Sequence, residues 1–168
     1  MLLREDALDI LKISGCSKNV IAHCVAVAEL ALSMGLKLKN DGLHVDLELV
    51  EIGGLLHDLG RAKSHGIDHA IIGVDIAKKN HIEPAIQEII KRHMGAGITR
   101  EEAKKLGLPD DDYIPVTLEQ KIVANADNFL VGTERISLDR RIRMMQEKDI
   151  DEQSIERVKA LAVEIGIC

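Results

Sequence analysis

Aromatic residues are almost absent from this 168-residue chain, which contains one Tyr, one Phe and no Trp. Proteins that bind single-stranded nucleic acid stack bases on several aromatic side chains, so that mode of binding is not expected. The formal net charge of −6 also provides no large basic surface, which excludes binding of duplex DNA. A nuclease that gains its affinity for RNA from a metal ion stays open.

Cysteines are few and the apolar runs are short. Cys16, Cys24 and Cys168 are an odd number without zinc-finger spacing, which predicts reduced thiols in a cytosolic protein. The longest apolar run, Val20 to Leu32, is interrupted by polar residues and is too short to cross a bilayer. The charged N-terminal segment lacks an apolar signal core. We therefore expect a cytoplasmic protein with no membrane association.

The residue pattern indicates helices along nearly the whole chain. The composition is 46% hydrophobic and 30% charged, and the length suits one domain. No segment alternates apolar and polar residues over six positions, so no strand is predicted. Thr99 with Glu102 and Thr117 with Gln120 match the capping-box pattern. We expect a single all-α domain of seven to nine helices.

Cap residues, prolines and glycines set the expected helix bounds. The sequence predicts one long loop, from Gly107 to Pro115, between helices. The other predicted helices run from about Lys18 to Met34, from the cap Asp46 to an end near Asp58 and Gly60, from Ile67 to Lys79 and from Pro84 to about His93, with Ser137 and Asp151 starting the last two.

Three of the predicted helices are apolar almost all round and yet contain ionisable or imidazole side chains. His23 lies in VIAHCVAVA, His57 and Asp58 in IGGLLHDLG, and Asp127 in IVANADNFLV. A buried carboxylate is costly unless it is paired or bound to a cation, and these runs contain no Lys or Arg. Imidazole and carboxylate are common metal ligands. The pattern therefore predicts a metal site made of two His and two Asp.

Each of these residues also has an ordinary explanation when it is taken alone. A single His on an apolar face is usually a core residue with a satisfied hydrogen bond. The two Asp side chains can be helix caps or surface groups. The joint pattern favours the metal site, because three separate apolar helices contain the right chemistry.

The ordered set His23, His57-Asp58 and Asp127 resembles the HD-domain metal-dependent phosphohydrolases. The doublet is followed by Leu59-Gly60, which is similar to their HDIG subgroup with Leu in place of Ile. The likeness runs from Ser17 to Arg135, and the whole chain resembles small archaeal HD proteins. It implies a helical bundle in which these four residues bind metal. We expect one domain over 1–168, with a motif core at 17–135 and C-terminal helices at 136–168.

Two further histidines, His69 and His93, resemble the extra ligands of HD proteins that hold two metals, such as HD-GYP phosphodiesterases and HD-type diadenosine tetraphosphate hydrolases. This likeness implies a second ion, with Asp58 bridging the two. Taken singly, each of the two histidines can equally be a surface residue. The GYP signature is absent, so turnover of cyclic-di-GMP is not implied.

A phosphohydrolase also needs cations on the phosphate oxygens and a proton donor for the leaving group. Candidate catalytic residues are Asp58, His65 and Lys63. Candidate substrate-binding residues are Arg61, Lys63, Arg92 and Arg135. A site of imidazoles and carboxylates suits one or two ions of Fe, Mn, Co, Ni or Zn better than Mg or Ca.

The function expected from the sequence is hydrolysis of a small phosphorylated metabolite or nucleotide by a metal-activated water. One alternative is an HD-type di-iron oxygenase, because the same six ligands resemble both kinds of enzyme. Another is a non-catalytic, metal-containing module that binds a ligand or partner. The amphipathic helices after Arg135 either close the bundle or form the face of a homodimer.

Overall fold

The computed structural model describes residues 2–166. Within that range the chain forms nine α-helices, one short 3₁₀ turn and a two-stranded hairpin, which confirms the predicted all-α domain. The elements are α1 Arg4–Ser14, α2 Lys18–Asn40, α3 Leu47–Leu56, the 3₁₀ turn Leu59–Ala62, α4 His69–Lys79, α5 Pro84–Arg92, α6 Arg100–Lys105, α7 Leu118–Asn128, β1 Leu130–Val131, β2 Glu134–Arg135, α8 Leu138–Glu147 and α9 Glu152–Ile165.

Local capping chemistry sets most helix starts, as predicted. The side chains of Ser17, Asp46, Ser137 and Asp151 each accept a hydrogen bond from a backbone N–H in the first turn of the helix that follows. Both predicted capping boxes are present, at the starts of α6 and α7. These contacts satisfy N–H groups that have no partner inside the helix.

Three predicted bounds were wrong. Helix α2 continues past Met34 and through Gly35 to Asn40, because Met34, Gly35 and Leu38 are all buried against neighbouring elements. Helix α3 ends at Leu56, before Gly60, because the chain turns at the His-Asp doublet into the 3₁₀ turn. Helix α4 begins at His69, two residues after the predicted start.

Helix α2 lies at the centre of the fold. Its buried residues divide between a cluster with α7 and α9, which includes Val27 and Met34, and a cluster with α1 and α3, which includes Cys24 and Ala28. By length and composition alone, its 23 residues could cross a membrane, so the exclusion by length was wrong. Its packing against helices on both sides is that of a core helix.

The free thiols of Cys16 and Cys24 are both buried, and Cys168 lies outside the described residues. Burial raises the pKa of both thiols, and the negative charge of Asp58 adds to that effect. Both thiols therefore stay protonated and are poor nucleophiles.

Two glycines permit the close approaches that bring distant segments together. A Cβ at Gly54 of α3 would lie 2.8 Å from the Cα of Ala28 in α2, so only glycine allows these helices to pack so tightly. A Cβ at Gly60 would collide with the carbonyl oxygen of His69, which starts α4. The 3₁₀ turn therefore presses against α4, and Asp58 comes close to His69.

The hairpin after α7 was not predicted. Leu130 pairs with Arg135 and Val131 with Glu134 in antiparallel register, and the turn uses Gly132 at a φ of 59°. Strands of two residues are too short to show alternation of apolar and polar residues. The hairpin brings the carbonyl oxygen of Gly132 towards α2, where it contacts the metal-site candidate His23.

Candidate metal centre

Four histidines direct one ring nitrogen each towards a common centre. In every case Nδ1 lies within hydrogen-bond distance of a backbone carbonyl oxygen, which can only accept, so Nδ1 carries the proton. In a neutral ring this leaves the lone pair on Nε2. The pairs are His23 with Gly132 at 2.7 Å, His57 with Gly54 at 2.7 Å, His69 with Gly66 at 2.8 Å, and His93 with Ile90 at 2.7 Å.

The Nε2 atoms converge on the two carboxylates, so each has either a proton shared with Asp58 or Asp127 or a lone pair open to a metal ion. His69 Nε2 lies 3.1 Å from His93 Nε2, and two lone pairs face each other there when both rings are neutral. His57 Nε2 is buried without a hydrogen-bond partner. A buried polar atom without a partner costs free energy, and a cation bound to the neutral ring removes that cost.

Asp58 joins these imidazoles into two groups. Its Oδ2 lies 3.7 Å from His57 Nε2 and 3.8 Å from His23 Nε2. Its Oδ1 lies 3.2 Å from His69 Nε2 and 3.4 Å from His93 Nε2. Each carboxylate oxygen therefore faces a different pair of histidines, as expected of a ligand shared by two ions.

Asp127 completes the first of these groups from α7. Its Oδ1 lies 3.0 Å from His23 Nε2 and 3.6 Å from His57 Nε2. The ligand atoms of His23, His57 and Asp58 lie within 4.8 Å of one another, as do those of Asp58, His69 and His93. The donor set and its spacing fit two adjacent metal positions.

The electrostatics of the cluster favour a positive charge at its centre. Burial by itself would raise the pKa of Asp58, but the charge of His57 and hydrogen bonds from His69 and His93 hold it well below its usual range. Burial opposes charge on His57, yet Asp58 and Asp127 together raise its pKa to about 9. The carboxylates of buried Asp58 and partly buried Asp127 stay ionised and need cationic partners, which protonated imidazoles or metal ions can supply.

A family model described as HD domain matches residues 20–132. The chain belongs to the HD domain family. This confirms the resemblance read from the His-Asp doublet and its partners.

Proteins of other organisms resemble this chain over most of its length. It is 48% identical to an uncharacterized protein of Methanocaldococcus jannaschii, with 96% of each chain covered. It is 40% identical to the tRNA (cytidine(56)-2'-O)-methyltransferase of Thermoplasma volcanium, over 94% of this chain and 45% of that protein. It is 29% identical to ribonuclease Y of Thermoanaerobacter pseudethanolicus, over 89% of this chain and 26% of that protein. The chain therefore spans less than half of the methyltransferase and about a quarter of the ribonuclease.

The HD domain of the L. monocytogenes phosphodiesterase PgpH shares the fold. The two structures superpose with a TM-score of 0.56 at 18% identity, covering 94% of this chain and 95% of that one. A second crystal structure of that domain, in complex with cyclic-di-AMP, gives a TM-score of 0.59 at 16% identity.

The cluster brings together all six residues expected from the sequence to bind metal, which are His23, His57, Asp58, His69, His93 and Asp127. Four of them come from α2, α7 and the turn after α3. The other two, His69 and His93, lie at the start of α4 and just after the end of α5, and both are buried. The last carbonyls of a helix have no partner inside it, so those of Gly54 in α3 and Ile90 in α5 are free to accept from the rings of His57 and His93 and to orient them.

The expected phosphate-binding residues are dispersed. Arg61 is half-buried next to the cluster, with Nε 3.3 Å from Asp58 Oδ1. Arg92 donates to Glu88 at 2.7 Å and to the carbonyl oxygen of Ile114 at 2.6 Å, and it does not line the cavity over the cluster. Arg135 is exposed on β2.

The two remaining catalytic candidates, both on the segment after the doublet, also differ in position. His65 is exposed and lines the cavity above the cluster, and its carbonyl oxygen accepts a hydrogen bond from Arg61. Lys63 is exposed and does not line that cavity.

A cavity of about 580 Å³ opens over the cluster, and His69, His93 and Asp127 contribute to its lining. It lies between the segment after α5 and the C-terminal helices α8 and α9. Its volume is typical of a site for a small organic molecule. Other charged side chains in the lining are Arg61, Lys105, Arg141, Lys148, Glu102, Asp149 and Asp151.

Arg141 on α8 is a site residue that the sequence does not reveal. Its guanidinium donates hydrogen bonds to the carbonyl oxygens of Asn128 at 2.6 Å and Leu130 at 2.7 Å, and it approaches that of Asp127 at 3.4 Å. Burial lowers its pKa, an effect that the charge of Asp127 opposes. In the sequence it is one of several basic residues on an amphipathic helix, and no local signal distinguishes it from Arg140.

Proposed function

We propose that this chain is a metal-dependent phosphohydrolase that acts on a small phosphorylated metabolite or nucleotide. The observation that carries the proposal is the bridging position of Asp58, with one oxygen towards His23 and His57 and the other towards His69 and His93. Metal centres with two adjacent ions and a shared carboxylate are suited to in-line displacement at phosphorus.

Two sets of residues would hold the ions. His23, His57, Asp58 and Asp127 would bind the first, and Asp58, His69 and His93 the second. The predominance of imidazole over carboxylate favours Fe, Mn, Co, Ni or Zn. When bound, such ions polarise a phosphoryl oxygen and lower the pKa of a water molecule to about 7.

The protein's own side chains would orient the substrate. Arg61 stands between the cluster and the cavity, and its guanidinium can donate to a phosphate oxygen as well as to Asp58. His65 lines the cavity and can deliver a proton to the leaving oxygen. We leave Lys63, Arg92 and Arg135 out of the proposed site because none of them lines the cavity.

Two of the relatives support cleavage of phosphate esters, since their names are ribonuclease Y and phosphodiesterase. The complex of PgpH with cyclic-di-AMP supports a nucleotide as one class of substrate. Methyl transfer is not part of the proposal, because the chain spans 45% of the methyltransferase relative.

The test is a panel of phosphomonoesters, phosphodiesters and nucleotides, assayed for hydrolysis with metal-loaded protein, both in air and without oxygen. We expect turnover under both conditions, and a loss in Asp58→Asn greater than the roughly 10–100-fold typical of residues one step further from a metal. Asp75→Asn, on the exposed face of α4, is the matched control and should keep full activity.

Two results would contradict the proposal. Oxygen consumption without hydrolysis would favour the di-iron oxygenase. Metal bound at full occupancy with no ester cleaved would favour a ligand-binding module.

A further inference from the structure

Three exposed aliphatic side chains contribute to the lining of the cavity. Ile67 is 43% exposed, Leu106 48% and Ile150 41%, and all three line the cavity. They come from three separate segments: the loop before α4, the end of α6, and the loop between α8 and α9. Single exposed aliphatic residues need no explanation, but a group that converges on one cavity marks a binding surface.

Methionines extend this apolar surface. Met94, Met144 and Met145 also belong to the lining of the cavity. Their side chains are flexible and polarizable, and they adapt to apolar groups of irregular shape. The cavity therefore combines the His and Asp cluster, side chains of both charges and an aliphatic surface.

The lining offers little that could recognise a nucleobase. Tyr113 and Phe129 are buried elsewhere, and neither lines the cavity. The uncharged polar side chains among the lining residues are Asn128 and Ser154. Asn128 donates to the carbonyl oxygen of Gly95 at 2.9 Å, and Ser154 donates to Asp151 at 2.7 Å. Among the described residues, the cavity thus lacks a phenyl or indole ring for stacking, and the amide nitrogen of Asn128 and the hydroxyl of Ser154 already donate to protein partners.

We propose that the substrate is a phosphate ester whose organic group is aliphatic. Its phosphate lies at the cluster of His and Asp side chains, beside Arg61. Its apolar group lies against Ile67, Leu106 and Ile150. This inference rests on the proposed phosphohydrolase function. Burial of each methylene strengthens binding by about fourfold, so chain length sets the affinity.

The test compares phosphonates, which keep the charged head and resist hydrolysis. Methylphosphonate, octylphosphonate and the phosphonate analogue of adenosine monophosphate are titrated by calorimetry into the full, metal-loaded chain. We expect octylphosphonate to bind at least about 100-fold more tightly than methylphosphonate, and more tightly than the adenosine phosphonate.

Variants of the lining residues locate the aliphatic surface. Leu106→Ser and Ile150→Ser should each reduce the preference for the octyl chain about tenfold and leave the affinity for methylphosphonate unchanged. Ile13→Ser is the matched control, since Ile13 is 85% exposed on α1 and does not line the cavity.

Each other outcome has a distinct meaning. Equal affinity for methylphosphonate and octylphosphonate would overturn the aliphatic substrate, while ester hydrolysis would still support the phosphohydrolase. Tighter binding of the adenosine phosphonate would overturn the aliphatic substrate in favour of a nucleotide. A change of oligomeric state in Leu106→Ser or Ile150→Ser, with the octyl preference intact, would assign these two side chains to a contact between copies of the chain and would also overturn the aliphatic substrate. Failure to bind any phosphonate, together with failure to cleave any ester, would contradict the proposed function itself.

Discussion

At the scale of single residues, the direction of the ring nitrogens decides what the site can do. Each of the four histidines gives its Nδ1 proton to a backbone carbonyl, and His69 and His93 place their Nε2 atoms 3.1 Å apart. Asp58 presents one oxygen to each pair of rings. Such a cluster is costly without a cation and well arranged with one.

The two pairs of histidines should respond separately to mutation. His93→Gln keeps roughly the volume of the side chain but removes a ligand of the second position, so the chain should lose one bound ion and keep the other. His69→Gln should behave in the same way. Metal content measured by mass spectrometry checks this, with the exposed His44→Gln as control. If His93→Gln leaves the number of ions unchanged, the second position does not exist.

Metal uptake should release protons. The pKa of His57 in the metal-free protein is about 9, above the usual 6.5, so its ring is charged at pH 7 and must lose a proton to become a ligand. Metal affinity should therefore rise from pH 6 to about pH 9 and then level off. Calorimetric titrations at pH 7 in two buffers of different ionisation enthalpy measure the proton count, and identical heats in the two buffers would contradict the expectation.

At the scale of elements, the site depends on close packing between segments that are distant in the sequence. The apolar periodicity of α2, α3 and α7 and the capping residues could be predicted, because each depends on neighbours within one or two turns. The hairpin could not be predicted, since its strands are two residues long. The role of Arg141 could not be predicted either, because its hydrogen bonds join α8 to the end of α7 and to β1.

Gly60→Ala should destabilise the protein. The added methyl group would collide with the carbonyl oxygen of His69, so the 3₁₀ turn and α4 must separate. Overpacking of this kind costs roughly 1–3 kcal/mol. Thermal unfolding measures the loss of stability. Metal content should fall as well, because His69 moves away from Asp58.

Gly107→Ala is the comparison, because a Cβ there meets no neighbour and the only cost is that of its left-handed backbone conformation. Equal stability of the Gly60 variant and the wild type would rule out the close packing.

Arg141→Met should weaken the first metal position and spare the second. The guanidinium holds the carbonyl oxygens that follow Asp127, and the same hairpin supplies the acceptor for His23. Loss of such support typically lowers metal affinity about 10–100-fold. Titration of metal into Arg141→Met should show one weakened and one unchanged site. Arg141→Lys should not restore the first site, because a single ammonium cannot reach several carbonyls.

Arg140→Met is the control, since Arg140 is exposed and pairs with Glu134. Uniform weakening of both sites would assign Arg141 a general structural role instead.

At the scale of the whole molecule, a helical bundle supplies a buried cluster with a cavity above it. The sequence predicted the cluster, since His23, His57, Asp58 and Asp127 each interrupt an apolar helix and therefore need a common explanation. It did not predict the cavity, because its lining comes from loops and helix ends whose meeting depends on tertiary packing. Arg92 and Arg135 illustrate the difference: both are basic and near the motifs in sequence, yet neither lines the cavity.

We propose that Asp58 bridges two metal ions. The most direct measurement is the number of ions per chain in purified wild type and in Asp58→Asn, each reloaded with a transition metal and dialysed. We expect two ions in the wild type, nearly none in Asp58→Asn and two in the control Asp75→Asn. An Asp58→Asn variant that retains both ions, or a wild type that binds none, would contradict the account.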